Sequence, residues 1–139
     1  MSPSADATSS SSLAEVLSFT NGQIVQEIGY DDDVDLDLRD AIEDLIGDEL
    51  EDEDTQEIVD AVVLWWRDGD GDLTDAMVDT LRNIEPGAPV WMLVPKAGRP
   101  GHVMPGDIQE SASIAGLRVM SSVSLAPDWN GTRLASRVN

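Results

Sequence analysis

Two short, unbroken apolar runs constrain this chain more than any other feature: Ala61-Val62-Val63-Leu64-Trp65-Trp66 and Val90-Trp91-Met92-Leu93-Val94. A strand with one face in water alternates apolar and polar residues. These runs do not alternate, so both faces are predicted to be covered, as at the centre of a parallel sheet with helices on each side. Asp68 to Asp72 turns the chain after the first run, and Glu85-Pro86-Gly87 precedes the second. Because strand side chains alternate, Trp65 and Trp66 are expected on opposite sides of the sheet.

The period changes on either side of these strands. Leu13, Val16 and Leu17 suit a short helix over 13–19, and Gln23 to Tyr30 suits a strand at about 24–28. Leu38, Ala41, Ile42 and Leu45 repeat at helical spacing from Asp35 to a closing Gly47. Glu49 to Asp54 reads as an acidic connector, and Asp54 with Glu57 has the spacing of a capping box for one turn ending near Val59. Asp72 is placed to cap a helix carrying Leu73, Ala76, Met77, Thr80, Leu81 and Ile84. Asp107 and Glu110 have capping-box spacing ahead of a helix ending at Gly116. Two half-buried strands, about 118–125 and 132–138, follow as an antiparallel pair. The order β, α, β, α, β, α, β, β predicts an α/β fold in three layers, with about five strands, mostly parallel with an antiparallel C-terminal edge strand. Residues 1–12 read as a disordered Ser-rich tail, and 13–139 as a single acidic domain.

The formal charge of -20 repels phosphate backbones and anionic lipid, which argues against nucleic-acid or membrane-surface binding and leaves a basic protein surface as the partner class. That charge is segregated. Glu27 to Glu85 holds 23 acids against Arg39, Arg67 and Arg82, whereas Pro86 to Asn139 has five bases against three acids. The chain has no cysteine and one His, which excludes disulfides and Cys nucleophiles and argues against zinc. Met1 to Ser12 lacks the pattern of a secretory signal, and no apolar run nears the roughly 20 residues of a membrane span, so the cytoplasm is the simplest address.

Three segments carry a family resemblance: Gln26-Glu27-Ile28-Gly29-Tyr30, Leu64-Trp65-Trp66-Arg67-Asp68-Gly69-Asp70-Gly71-Asp72, and Pro95-Lys96-Ala97-Gly98-Arg99-Pro100-Gly101-His102-Val103. They resemble an actinobacterial family known as domain of unknown function 3052, over about residues 13–138. The resemblance implies an intracellular bacterial protein and supplies no activity. The order of elements is also similar to a shortened methyltransferase-type Rossmann-like sheet, a likeness of fold only. In that fold the first strand enters a Glu-x-Gly-x-Gly-x-Gly turn against the methionine part of S-adenosylmethionine. Here Glu27 and Gly29 match, while Tyr30-Asp31-Asp32-Asp33 replace the remaining pattern and would repel the ligand carboxylate. The two strands that normally follow, with the acid that holds the ribose, have no counterpart. The expectation is a binding fold without its cofactor.

No complete catalytic set is present. Asp68-Gly69-Asp70-Gly71-Asp72 begins like a calcium loop, but Leu73 stands where the turn needs Gly and Asp79 where a bidentate Glu belongs. We read a solvated turn capping the next helix, with a weak divalent-cation site over 68–72 as an alternative and no metal assigned. A strand followed by Asp-x-Asp also suits haloacid-dehalogenase-type phosphotransferases, for which too little chain remains. Lys96, Arg99 and His102, with Asp68 across the sheet edge, form a candidate site for a small anionic ligand or a weak enzyme. The competing reading is that Lys96 and Arg99 neutralise Asp68 and Asp70. The leading expectation is a non-catalytic regulatory or interaction module that uses an acidic face of Asp37, Asp40, Glu43, Asp44, Glu51 and Asp52, with Trp129 as an apolar anchor if exposed. Solubility alone is the competing account of that face.

Overall fold

The computed structural model describes residues 10–136, in the element order α1 (Ser10–Leu17), β1 (Val25–Ile28), α2 (Leu36–Ile46), β2 (Ala61–Trp65), α3 (Leu73–Thr80), β3 (Val90–Pro95), α4 (Pro105–Ala115), β4 (Leu117–Ser124) and β5 (Trp129–Ser136). The expected tail falls outside the described residues up to position 9, while 10–12 already belong to α1. The last two residues of the expected C-terminal strand, 137 and 138, also lie outside them.

One five-stranded sheet has the order β1-β2-β3-β5-β4. β1, β2 and β3 are parallel, β5 runs antiparallel to β3, and β4 runs antiparallel to β5. The C-terminal strand is therefore antiparallel, as expected, but it lies one place in from the edge, and β4 is the edge strand. The crossover through α4 carries β4 past a vacant position beside β3, and the short Leu125–Asp128 connection folds β5 back into it.

The apolar runs divide their side chains between two cores. Ala61, Val63, Trp65, Trp91 and Leu93 pack with α1, α2 and Phe19, whereas Val62, Leu64, Val90, Met92 and Val94 pack with α3 and α4. This is the three-layer arrangement that unbroken apolar strands require. Trp65 is fully buried in the first core and Trp66 packs against the second, on opposite sides as expected.

The helix ends follow local chemistry in α2, where Asp35 accepts a hydrogen bond from the Leu38 N–H at 2.8 Å and Gly47 closes the helix in the left-handed conformation. Asp72 caps α3 in the same way, through the Asp75 N–H. Three local expectations are corrected. Residues 54–59 form no helical turn, because Val59 pairs in parallel with Ile84, donating to Asn83 O and accepting from Glu85 N. The same pairing draws the chain out of helix after Thr80, so α3 is shorter than its periodicity. Asp107 is not a cap, since α4 starts at Pro105, whose fixed φ suits a first helical position, with Met104 as N-cap.

Candidate functional site

The parallel strands end together, so Gly29 after β1, Arg67 after β2 and the loop from Lys96 after β3 meet at one rim of the sheet. α/β folds bind ligands at such rims. In this chain its own charged side chains bridge the rim, with open cavities left beside them.

Glu27, at the end of β1, is 7% exposed and holds three donors. Arg39 of α2 reaches it in bidentate fashion, Nε to Oε2 at 2.6 Å and Nη2 to Oε1 at 2.9 Å, and Trp65 Nε1–H donates to Oε2 at 2.9 Å. A buried carboxylate is tolerable only when satisfied in this way. The Arg39 guanidinium also lies 4.9 Å from the centre of the Tyr30 ring. Its pKa is raised above the usual arginine value, chiefly by the hydrogen bonds to Glu27, against the opposing pull of burial.

Arg67 closes the gap between the first two strands. Its Nη1 donates to Gly29 O at 2.9 Å and to Asp70 at 3.3 Å, and its Nε donates to Asp33 Oδ2 at 2.9 Å, with Nη2 on the other Asp33 oxygen. Its guanidinium also lies 5.3 Å from the Trp129 ring centre. Burial pulls the Arg67 pKa down, but the attraction of Asp33 and Asp70 outweighs it and the net shift is upward. From the other side, the Gly29 N–H donates to Glu53 Oε2 at 2.8 Å. Both backbone groups of the glycine turn are thus engaged by side chains of the chain itself.

The segment after α2 is more than the acidic connector expected. Glu51 pairs in parallel with Gln26, donating to Val25 O and accepting from Glu27 N, both at 2.8 Å. Gln26 Nε2 holds the carbonyls of Asp52 and Glu53. A single-bridge strand therefore covers the edge of β1, followed at once by acids, where the sequence had suggested that nothing stands. Glu27, Tyr30, Arg39 and Asp52 to Asp54 line an open cavity of about 520 Å³ there.

The other candidates are dispersed. Asp68 and the loop after β3 are joined by backbone, Asp68 N to Gly101 O at 2.8 Å. Arg99 pairs with Asp128 at 2.7 Å, and Asp70 pairs with Arg67, so the expected neutralisation of Asp68 and Asp70 by Lys96 and Arg99 is corrected. Lys96 is half-buried with its N–H on Asp128 O, and His102 Nδ1 lies 2.8 Å from Pro95 O, beside a cavity of about 200 Å³ that it lines with Gln109, Ser122, Asn130 and Thr132. The cation alternative loses two of its carboxylates, because Asp70 is tied to Arg67 and Asp72 caps α3. No group of three or more His, Cys, Asp or Glu residues suited to a metal ion occurs among the described residues.

Within the acidic face, Asp37, Asp40, Asp44 and Asp52 are exposed. Glu43 is half-buried and accepts from Leu50 N at 2.9 Å, and Glu51 accepts from Thr55 Oγ1, so these two serve the fold locally. Trp129 is corrected as an anchor: it is 4% exposed and packs edge-on against Trp65, with ring centres 4.9 Å apart. The residues organising the rim, Arg39, Arg67 and Glu53, were not singled out from sequence. A usable signal existed, since Arg39 and Arg67 are two of only three bases among 23 acids from Glu27 to Glu85.

Residues 14–138 match the family described as Protein of unknown function (DUF3052). The chain belongs to this family. Similar DUF3052 relatives include the uncharacterised proteins Rv2239c of Mycobacterium tuberculosis and Mb2263c of Mycobacterium bovis, each 48% identical over 124 residues, or 89% of this chain and 78% of the relative. Among solved structures, the DUF3052 chain is similar to a SAM-dependent methyltransferase from Aquifex aeolicus, with TM-score 0.62 and 12% identity over 94% of this chain and 92% of that one. It is also similar to the pyocyanin biosynthetic protein PhzM, with TM-score 0.64 and 14% identity over 96% of this chain, which spans 56% of PhzM. At such identities the likeness concerns the fold alone: this DUF3052 chain has a methyltransferase-like fold. Among its described residues no helix is long and apolar enough to cross a membrane.

Proposed function

We propose that this protein is a non-catalytic interaction module, a methyltransferase-like scaffold that presents an acidic face to a basic protein surface. The observation carrying the non-catalytic half is the closure of the Gly29 turn, whose N–H and C=O are held by Glu53 and Arg67. A ligand entering there would have to replace two charge-assisted hydrogen bonds and displace a guanidinium that also binds Asp33 and Asp70. S-adenosylmethionine titrated to millimolar concentration is expected to give no saturable heat. Micromolar affinity would overturn this half of the reading.

The interaction half rests on charge segregation and on the exposure of Asp37, Asp40 and Asp44 along α2, where like charges three and four residues apart cost helix stability. Complementary charge on a partner would raise the association rate and make it salt-sensitive. The variant Asp37→Asn/Asp40→Asn/Asp44→Asn spares Glu43, which the fold uses. It is expected to keep or slightly raise the melting temperature and to slow association with partners captured from host lysate about tenfold at low salt. If every captured partner binds the variant unchanged across a salt series, the face is only a solvated surface.

A further inference from the structure

We infer that β4 is a self-association edge, through which two copies of this chain pair antiparallel to continue the sheet. An edge strand exposes unpaired backbone groups, and proteins ordinarily guard it with charge, Pro, brevity or a covering element. β4 is eight residues long, Leu-Arg-Val-Met-Ser-Ser-Val-Ser, and its only charge is Arg118. Arg118 to Ser122 are exposed, Val119 at 37% and Met120 at 50%. The shift in register between Val119 and Ser121 is a bulge, itself one of the devices that guard an edge, but it is confined to the first half of the strand, and Ser121 to Ser124 pair regularly with β5 beyond it.

The charge distribution selects a second copy as the occupant. Two chains of charge -20 repel wherever their acidic halves meet. The strand order places β4 at the opposite end of the sheet from β1 and its acids, four strand spacings or roughly 19 Å away. Contact at β4 therefore holds the two acidic halves as far apart as the fold allows. A two-fold contact also requires a self-complementary surface. With the axis between Ser121 and Ser122, Met120 faces Val123 of the second copy, Val119 faces Ser124, and Arg118 falls opposite Leu125. Apolar residues meet and no like charges do. Ile114, 69% exposed and three residues before the strand, adds apolar surface at the same end.

Sedimentation velocity of the full chain from 1 to 100 µM in 0.15 M salt tests this. The expected result is a species of twice the 15.0 kDa chain mass, with hydrogen exchange at β4 amides slowing as concentration rises. Ser121→Lys/Ser122→Lys is expected to raise the dissociation constant at least tenfold by setting like charges directly opposite each other across the axis. Met120→Lys alone serves if the double variant folds poorly. A monomer at 100 µM overturns the inference, whether β4 is then open, covered by another part of the chain, or reserved for an unrelated protein. So does a dimer whose affinity survives the substitution.

Discussion

Gly29→Ala is expected to cost about 3–5 kcal/mol, a large share of the roughly 5–15 kcal/mol that stabilises a domain of this kind. Gly29 has φ 84°, where a side chain is strained, and a Cβ there would lie inside the contact radius of the Trp65 carbonyl oxygen. That oxygen belongs to the backbone of β2, so relief requires moving β1 away from β2, which would also break the contact of Arg67 with Gly29 O. Gly87→Ala is the control: φ is 82°, but nothing lies within 4 Å of the added Cβ. Only conformational strain remains there, about 1 kcal/mol. Urea denaturation should separate the two by about 0.7 M or more in midpoint, given m-values of about 1–3 kcal/mol/M. Equal midpoints would mean that the turn yields and that close strand contact at Gly29 is unimportant.

Glu27→Ala should be the next most damaging change, at about 2–4 kcal/mol. Its removal leaves Trp65 Nε1–H without an acceptor in a fully buried position and Arg39 without its counter-charge. Arg39 is 21% exposed and can turn partly toward water, which holds the cost below that of a fully buried pair. Glu27→Gln keeps an acceptor for Trp65 and should retain part of the stability. In a double-mutant cycle, Glu27→Ala/Arg39→Ala should be less destabilised than the sum of the single variants, because neither charge is then stranded. Strict additivity of the two substitutions would show that the pair contributes nothing beyond its separate packing.

These two predictions concern residues of different legibility. Gly29 and Glu27 were visible as a fragment of a glycine-rich turn following a strand. What they contact was not, because Trp65 lies 38 residues from Glu27 and Arg67 lies 38 from Gly29. Arg99 illustrates the same limit. Sequence placed it near Asp68 and Asp70, but three-dimensional proximity gave it Asp128 and assigned Asp70 to Arg67.

Sequence by itself determined the parts that depend on periodicity and local chemistry. Unbroken apolar runs required helices on both faces of β2 and β3, the order of elements required a largely parallel sheet, and Asp35, Gly47 and Asp72 marked helix ends through bonds spanning a few residues. Tertiary structure alone decided the rest. It ended α3 early because Val59 competes for the chain at Ile84, moved β5 inside β4 because a position beside β3 was vacant, and buried Trp129 against Trp65. It also turned an acidic connector into cover for the β1 edge. Each of these outcomes is a choice among long-range partners of similar local chemistry, and the energies that separate such partners exist only once the chain has folded.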